Sequence, residues 1–177
     1  AANVSGDGTD VLERAYFAKE VGATALMVAV GLVGFGWLHK LATDEKLRLP
    51  IIHHPAYSGG FVSPGVSGVA DYLQLGLSPR IFGADMPIFV SYGGRFTFTE
   101  KQCKRISSYI KRPMGLMKAA CPAPGGGVTD TRLNELVELY GNDTMFLVGG
   151  DMFRRGPDIE ANMSYFVERL TKLSERT

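Results

Sequence analysis

The sequence predicts an α/β protein built from repeated β/α units. Short apolar runs bounded by glycine or proline alternate with stretches in which apolar residues recur at helical spacing. The predicted strands begin near residues 24, 50, 86, 114 and 145, so each interval can hold a helix that connects two parallel strands. A chain of 177 residues with 45% apolar residues is long enough for one domain with a core. A closed β/α barrel and an open doubly wound sheet both fit this pattern, which alone does not separate them.

The first half of the chain contains three predicted strands, because its apolar runs are short and end at glycine, proline or polar residues. The run before Gly31 is continuous, as in a parallel strand that is buried on both faces. The predicted elements are a strand stub at Ala2-Asn3-Val4, a helix from Asp10 to Val21, a strand from Thr24 to Val30, a helix from about Phe35 to Lys46, a strand from Pro50 to His54, a loop from Ser58 to Gly68 and a helix from about Ser67 to Leu77.

The second half continues the alternation and has clearer helix boundaries. Thr99 and Gln102 have the spacing of a capping box, and the helix that they open should stop before Pro113. Gly141 can end another helix in a left-handed conformation. The predicted elements are a strand from Met86 to Val90, the helix opened by Thr99, a strand from Met114 to Ala119, a helix from Thr129 or Asp130 to Tyr140, a strand from Met145 to Val148 and a helix from Asp158 to Leu173.

Composition excludes several classes of partner. The 19 basic and 18 acidic residues leave a net charge near zero and no basic stripe, so we expect no nucleic-acid partner. The apolar stretch from Val21 to Leu38 is broken by small residues, so we expect no membrane span, and no signal peptide is visible. Cys103 and Cys121 are too few for a disulfide framework, and a reducing, cytoplasmic setting is expected.

Two glycine-rich segments follow consecutive predicted strands near the end of the chain. Pro122 to Gly127 immediately precedes a helix, and Val148 to Asp151 follows the next strand. Glycine lets backbone N–H groups approach an anion closely, and ligands of α/β folds bind at the carboxyl ends of strands. Each loop alone is equally well explained as a simple turn. The pair favours a phosphate site formed by Gly126, Gly127, Gly149 and Gly150.

Three further side chains are candidates for chemistry. His54 ends a strand, and alternation of side chains should turn it toward the mouth of the sheet, where it could transfer protons or bind a hydroxyl. Arg95, in a Gly-Gly-Arg turn, offers a fixed positive charge for a phosphate or carboxylate. Lys118 interrupts an apolar predicted strand and could point into a site as a base or electrostatic group. Structural histidine, surface arginine and solvated lysine are the competing interpretations.

Practically the whole sequence resembles the C-terminal barrel of the RuBisCO large-chain superfamily, and RuBisCO-like proteins in particular. The segments that carry the resemblance are, in order, Glu20 to Met27, Leu49 to Ala56, Phe82 to Asp85 and Gly125 to Asp143, with equal spacing from the last to Phe146 to Gly150. The resemblance implies an incomplete (β/α)8 TIM barrel. Residues 1 to 177 would supply strands three to eight with their helices, without the N-terminal domain and the first barrel strands.

The resemblance also implies roles for individual residues. The four glycines would hold a substrate phosphate through backbone amides, and His54 would match the family's active-site histidine. Pro55 stands where the carboxylase has a phosphate-binding arginine, and Arg95 is only a substitute for the lysine of the carboxylase's sixth loop. These departures favour a monophosphate substrate over a bisphosphate.

The family's Mg²⁺ is held by a carbamylated lysine and two carboxylates on the second strand. No Lys-x-Asp-Glu segment occurs in these 177 residues, so we expect no metal ligand in this chain. Whether the chain is an enzyme therefore stays open.

Two functional hypotheses follow from the resemblance and the missing segment. The first is part of a RuBisCO-like, Mg²⁺-dependent enzyme that enolises a phosphorylated keto sugar or keto acid, of the decarboxylase or isomerase type. The alternative is a truncated, non-catalytic barrel that binds phosphate or associates with itself. A phosphorylated small molecule is the expected substrate or ligand, and a homo-oligomer is expected because an open sheet edge invites pairing.

Overall fold

Five parallel strands lie side by side in the order in which they occur in the chain. The computed structural model describes residues 1–62 and 68–175. The strands are β1 (Ala2–Asn3), β2 (Leu26–Val28), β3 (Ile51–His53), β4 (Met86–Val90) and β5 (Ala123–Gly125). A sixth position follows, because Gly125 and Leu147 form a parallel bridge at the far side of β5.

Helices follow each strand. The helical elements are α1 (Val11–Glu20), α2 (Val30–Val33), α3 (Phe35–Ala42), α4 (Gly59–Val62), a π-helix (Leu73–Leu77) that runs into α5 (Ser78–Ile81), α6 (Glu100–Lys111), a 3₁₀ turn (Asp130–Arg132) that leads into α7 (Leu133–Tyr140), α8 (Gly150–Arg154) and α9 (Ile159–Ser174). In the described ranges, no helix is long and apolar enough to cross a membrane.

The two faces of the sheet differ in what they contact. One face packs on the helices in two clusters, in which Leu26 and Ile51 meet α1 and α3, and Phe89 meets α6, α7 and α9. The other face is an apolar layer whose members all come from the strand positions, around Ile52 and Ile88. A doubly wound sheet reverses its strand order and carries helices on both faces, whereas consecutive strands with one helical layer are the arrangement of barrel units. The fold is therefore α/β of the barrel type.

The predicted helix boundaries agree with the local chemistry. The Thr99 side chain accepts a hydrogen bond from the amide of Gln102, and the Gln102 side chain accepts one from the amide of Thr99, so the predicted capping box is confirmed. Asp158 caps α9 by accepting from the amide of Ala161 at 2.9 Å. Gly141 ends α7 with a φ of 75°, a conformation in which glycine has no side chain to strain.

The predicted strand from Met114 to Ala119 is wrong. Met114 and Met117 close a tight turn in which Leu116 is fully exposed, and the fifth strand lies at Ala123–Gly125 instead. Prolines are usually confined to the margins of sheets, so the segment with Pro122 and Pro124 was predicted as a loop. The ladder tolerates them here because their carbonyls still accept hydrogen bonds from the amides of Met145 and Leu147.

Smaller differences concern the ends of elements. The strand from Thr24 to Val30 shortens to β2 because Val30 already begins α2, and the helix from Phe35 ends at Ala42. The last predicted strand is reduced to the single bridge at Leu147. The helix predicted from Ser67 has its start outside the described residues and continues past Leu77 into α5, where Pro79 occupies the first turn.

Candidate functional site

The carboxyl ends of the parallel strands form one edge of the sheet, and most candidate residues lie there. His54 follows β3, Arg95 lies in the loop after β4, and two glycine loops follow β5 and the bridge at Leu147. Ligands of β/α folds bind at this edge, because the loops after the strands converge on it.

The two glycine loops line a single cavity. Gly126, Gly127, Gly149 and Gly150 border about 350 Å³ of open volume, together with Phe146 to Val148 and Met163. This volume falls in the range of small-molecule pockets, roughly 300 to 1,000 Å³. The structure therefore brings together residues that are more than twenty positions apart in the chain.

The backbone of these loops has free donors. Within residues 1–62 and 68–175, the N–H groups of Gly127 and Gly149 donate no hydrogen bond to the protein. Gly126 and Gly127 both have positive φ, 80° and 70°, which turns the chain sharply after β5. Successive amides in such a turn can converge on an anion.

A carboxylate ties the two glycine loops together. Asp151, next to Gly150, accepts a hydrogen bond from the amide of Asp130 at 2.8 Å. Asp130 in turn accepts from the hydroxyl of Tyr165 at 2.9 Å and pairs with Arg169 at 3.2 Å, so α9 supports the same junction. These contacts span 21 to 39 positions of sequence, and no local pattern signals them.

Arg132 is a second residue that the sequence did not single out. Its guanidinium donates to the carbonyls of Tyr92 at 2.8 Å and Gly127 at 3.0 Å, and pairs with Glu135 at 3.0 Å. It therefore joins the loop after β4 to the first glycine loop.

Arg95 lies on the loop after β4 at the same edge of the sheet. Its side chain is exposed, with the guanidinium 5.0 Å from the centre of the Phe96 ring. In the ranges that the structure describes, no carboxylate forms an ion pair with Arg95. Its charge is thus available to an anionic ligand.

The two histidines after Ile52 differ in environment. His53 is fully buried, and His54 is half-buried with Nδ1 accepting a hydrogen bond from the amide of Ala56 at 3.2 Å. An accepting Nδ1 leaves the proton of the neutral ring on Nε2. Alternation along the strand places His54 on the face of Ile52, away from the helices, and His53 on the helical face.

Acid should destabilise the chain through His53. Burial, with a smaller contribution from the charge of His54, lowers the pKa of His53 to about 3, and neither ring nitrogen has a hydrogen-bond partner. The folded ring stays neutral where the unfolded ring, with a pKa near 6.5, takes up a proton. Stability present above pH 6.5 is therefore lost as the pH falls toward 3, by up to about 1.4 kcal/mol per pH unit.

Urea unfolding at pH 7 and pH 5 measures this loss. We expect about 2 kcal/mol less stability at pH 5, and about that much less pH dependence in His53→Leu. His39→Gln is the matched control, because His39 is exposed. An unchanged pH dependence in His53→Leu would show that His53 is not the titrating group.

Lys118 does not join this edge. It lies before β5, in the segment that replaces the wrongly predicted strand, and its side chain is exposed. Its carbonyl accepts hydrogen bonds from Arg80. The premise of a lysine inside a buried strand fails, and the structure places Lys118 at the amino end of β5, opposite the glycine loops.

The described residues do not supply a metal centre. Among residues 1–62 and 68–175, no group of three or more histidine, cysteine, aspartate or glutamate side chains could hold a metal ion. The Mg²⁺ that the resemblance implies therefore does not fit the side chains described here.

Comparison with known proteins agrees with this fold and this edge. The chain is 30% identical over 166 residues to RuBisCO-like protein 1 of Rhodopseudomonas palustris, covering 94% of this chain and 43% of that protein. It is 31% identical over 150 residues to a 2,3-diketo-5-methylthiopentyl-1-phosphate enolase of Bacillus cereus, covering 85% of this chain and 36% of that enzyme. No family model matches.

A solved structure shows the same architecture. The RuBisCO-like protein of Alicyclobacillus acidocaldarius superimposes with a TM-score of 0.88 at 28% identity, over 99% of this chain and 44% of that one. The strand order and the relatives together define a β/α protein of the RuBisCO type. The chain belongs to the RuBisCO-like superfamily. It spans less than half the length of these relatives.

Proposed function

We propose that this chain forms the phosphate-binding part of a RuBisCO-like enzyme that enolises a phosphorylated keto compound. The observation that carries the proposal is the meeting of two glycine loops around one cavity at the carboxyl edge of the sheet. The proposal assigns the strand positions to strands three to eight of a (β/α)8 barrel and residues 1–177 to its C-terminal portion. The name of the Bacillus cereus relative supports a keto phosphate as substrate.

The residues of the site have complementary chemistry. The amides of Gly127 and Gly149 would donate to phosphate oxygens, with Gly126 and Gly150 keeping the cavity open. Arg95 would add positive charge from the neighbouring loop. His54 would move a proton at the carbon next to the substrate carbonyl, through the ring nitrogen that Ala56 leaves free. We leave Lys118 out of this site because it lies at the other edge.

Mg²⁺ belongs to the proposed activity of the complete enzyme but to no step described here. When bound, it would stabilise the oxygens of the enolate. Its ligands would have to come from outside the described residues, which offer no such group. The chain's own contribution is limited to binding and orienting the phosphate and moving a proton.

A non-catalytic phosphate-binding module is the second candidate, and the lack of a metal-ligating group among the described residues favours it. Self-association belongs to both candidates. β1 has a partner strand on one side only, and the apolar layer around Ile52 includes the partly buried Met27, Met86 and Met145. Sedimentation equilibrium tests this, and a monomer at all concentrations would contradict it.

Isothermal titration tests phosphate binding. The 177-residue chain is titrated with fructose 1-phosphate and with inorganic phosphate, with and without Mg²⁺. A valine at Gly149 should weaken binding at least about tenfold, because its side chain extends into open space of the cavity. Gly36→Val is the control, since Gly36 also faces open space but lies in α3.

The outcomes separate the candidates. Binding that needs Gly149 and ignores Mg²⁺ supports a phosphate site that works without the metal. Binding that appears only with Mg²⁺ contradicts the assignment of phosphate binding to the glycine loops. No binding under any condition means that these loops are only turns.

A further inference from the structure

The loop after β4 and the first glycine loop touch through their backbones. A Cβ on Gly94 would lie 3.0 Å from the amide nitrogen of Gly127, and one on Gly127 would lie 2.7 Å from the amide nitrogen of Gly94. Real Cβ atoms essentially never come closer than 3.0 Å, so both positions require glycine as the loops now stand. A shift in one loop must therefore move the other.

Arg132 fixes this contact from the side. One nitrogen of its guanidinium donates to the carbonyl of Tyr92 at 2.8 Å and to that of Gly127 at 3.0 Å. A Cβ on Gly93 would lie 2.4 Å from the same nitrogen, so the loop closes tightly over the arginine. The rigid fork of arginine suits this geometry, whereas lysine presents a single point of charge.

The orientation of Arg132 is itself fixed on three sides. Its guanidinium lies 4.5 Å from the centre of the Tyr92 ring and pairs with Glu135, which also accepts a hydrogen bond from the Tyr92 hydroxyl. Burial and the bond to Glu135 raise the pKa of Tyr92 to about 12, so the hydroxyl keeps its proton. The arginine is largely buried, with 19% of its side chain exposed.

We propose that Arg132 is a positioning residue, which holds the loop after β4 in register with the first glycine loop so that the amide of Gly127 points at the bound phosphate. The proposal rests on the proposed function and adds the device that aligns the site. Arg132 acts through Gly127 and does not line the cavity. It also places Arg95, three residues after Tyr92, at a fixed distance from the glycine loops.

Arg132→Met and Arg132→Lys test this assignment. Both should weaken binding of fructose 1-phosphate roughly 10- to 100-fold, because a small displacement of a binding group has effects of this size. Arg105→Met is the matched control. Arg105 also pairs with a carboxylate, Asp71 at 2.6 Å, and also lies over a tyrosine ring, at 4.9 Å, but contacts neither loop.

A second variant leaves Arg132 in place. Gly94→Ala inserts a methyl group between the loops, at 3.0 Å from the amide nitrogen of Gly127, and should weaken binding in the same way. It keeps the proposal testable if Arg132→Met does not fold, as judged by circular dichroism and urea unfolding. The amide resonances of Gly94 and Gly127 should shift in both variants and stay unchanged in Arg105→Met.

The outcomes distinguish this proposal from the proposed function. If the unaltered chain does not bind fructose 1-phosphate, the proposed function fails. If the unaltered chain binds, and Arg132→Met and Gly94→Ala bind equally well, the positioning role is overturned. Full rescue by Arg132→Lys would overturn it too, because charge alone would then suffice.

Discussion

Replacing Arg80 by methionine should lower the free energy of unfolding by about 3 kcal/mol, since a buried hydrogen-bonding charge leaves all of its partners unsatisfied. Arg80 is 3% exposed. Its guanidinium donates to four carbonyls, those of Tyr109, Arg112, Met117 and Lys118, at 2.5 to 3.3 Å. In the described part of the chain, no carboxylate forms an ion pair with it.

Two of these carbonyls lie at the carboxyl end of α6, where a positive charge also offsets the helix dipole. The other two lie in the turn that replaced the predicted strand. Arg80 therefore secures the connection from α6 to β5. Urea unfolding measures the loss, with Arg112→Met as the control, because Arg112 is exposed and lies over the Tyr109 ring. Equal, small losses in both variants would mean that the carbonyls find water instead.

Replacing Gly127 by alanine should cost about 2 to 4 kcal/mol of stability and abolish phosphate binding. Two effects add: a φ of 70°, which costs alanine about 1 to 2 kcal/mol, and overlap of its methyl group with the backbone of Gly93 and Gly94. The overlap must push the loops apart, because the atoms that the methyl group meets are backbone atoms with little freedom to move.

Gly126→Ala separates the two effects. Its φ is 80°, but a Cβ there has nothing within 4 Å, so only the conformational cost of about 1 kcal/mol applies. The difference between the two variants in urea unfolding then measures the contact between the loops. If Gly127→Ala is no worse than Gly126→Ala, the loops are not in the close contact described.

Local pattern predicted those parts of the fold whose cause is local. The apolar run around Leu26, the capping box at Thr99 and the terminator at Gly141 all act within a few residues of the element that they define. β5 was missed for the opposite reason. Pro122 and Pro124 are poor strand residues by themselves, and only hydrogen bonds from the distant Met145 and Leu147 make that segment part of the sheet.

The candidate site divides in the same way. Glycine-rich segments after strands are visible in the sequence, and the structure brings both to one cavity. Arg80, Arg132 and Asp151 are not visible, because each acts on residues 21 to 40 positions away. Lys118 was selected on a strand that does not form, and an error in one element thus moved a candidate to the wrong edge.

The most direct test of the phosphate site is an amide NMR titration of the ¹⁵N-labelled chain with fructose 1-phosphate. If the glycine loops hold the phosphate, the resonances of Gly127 and Gly149 should show the largest shifts and saturate together, while Gly36 in α3 stays unchanged. Saturable shifts confined to other residues, or none at these two glycines, would contradict the assignment of phosphate binding to these loops.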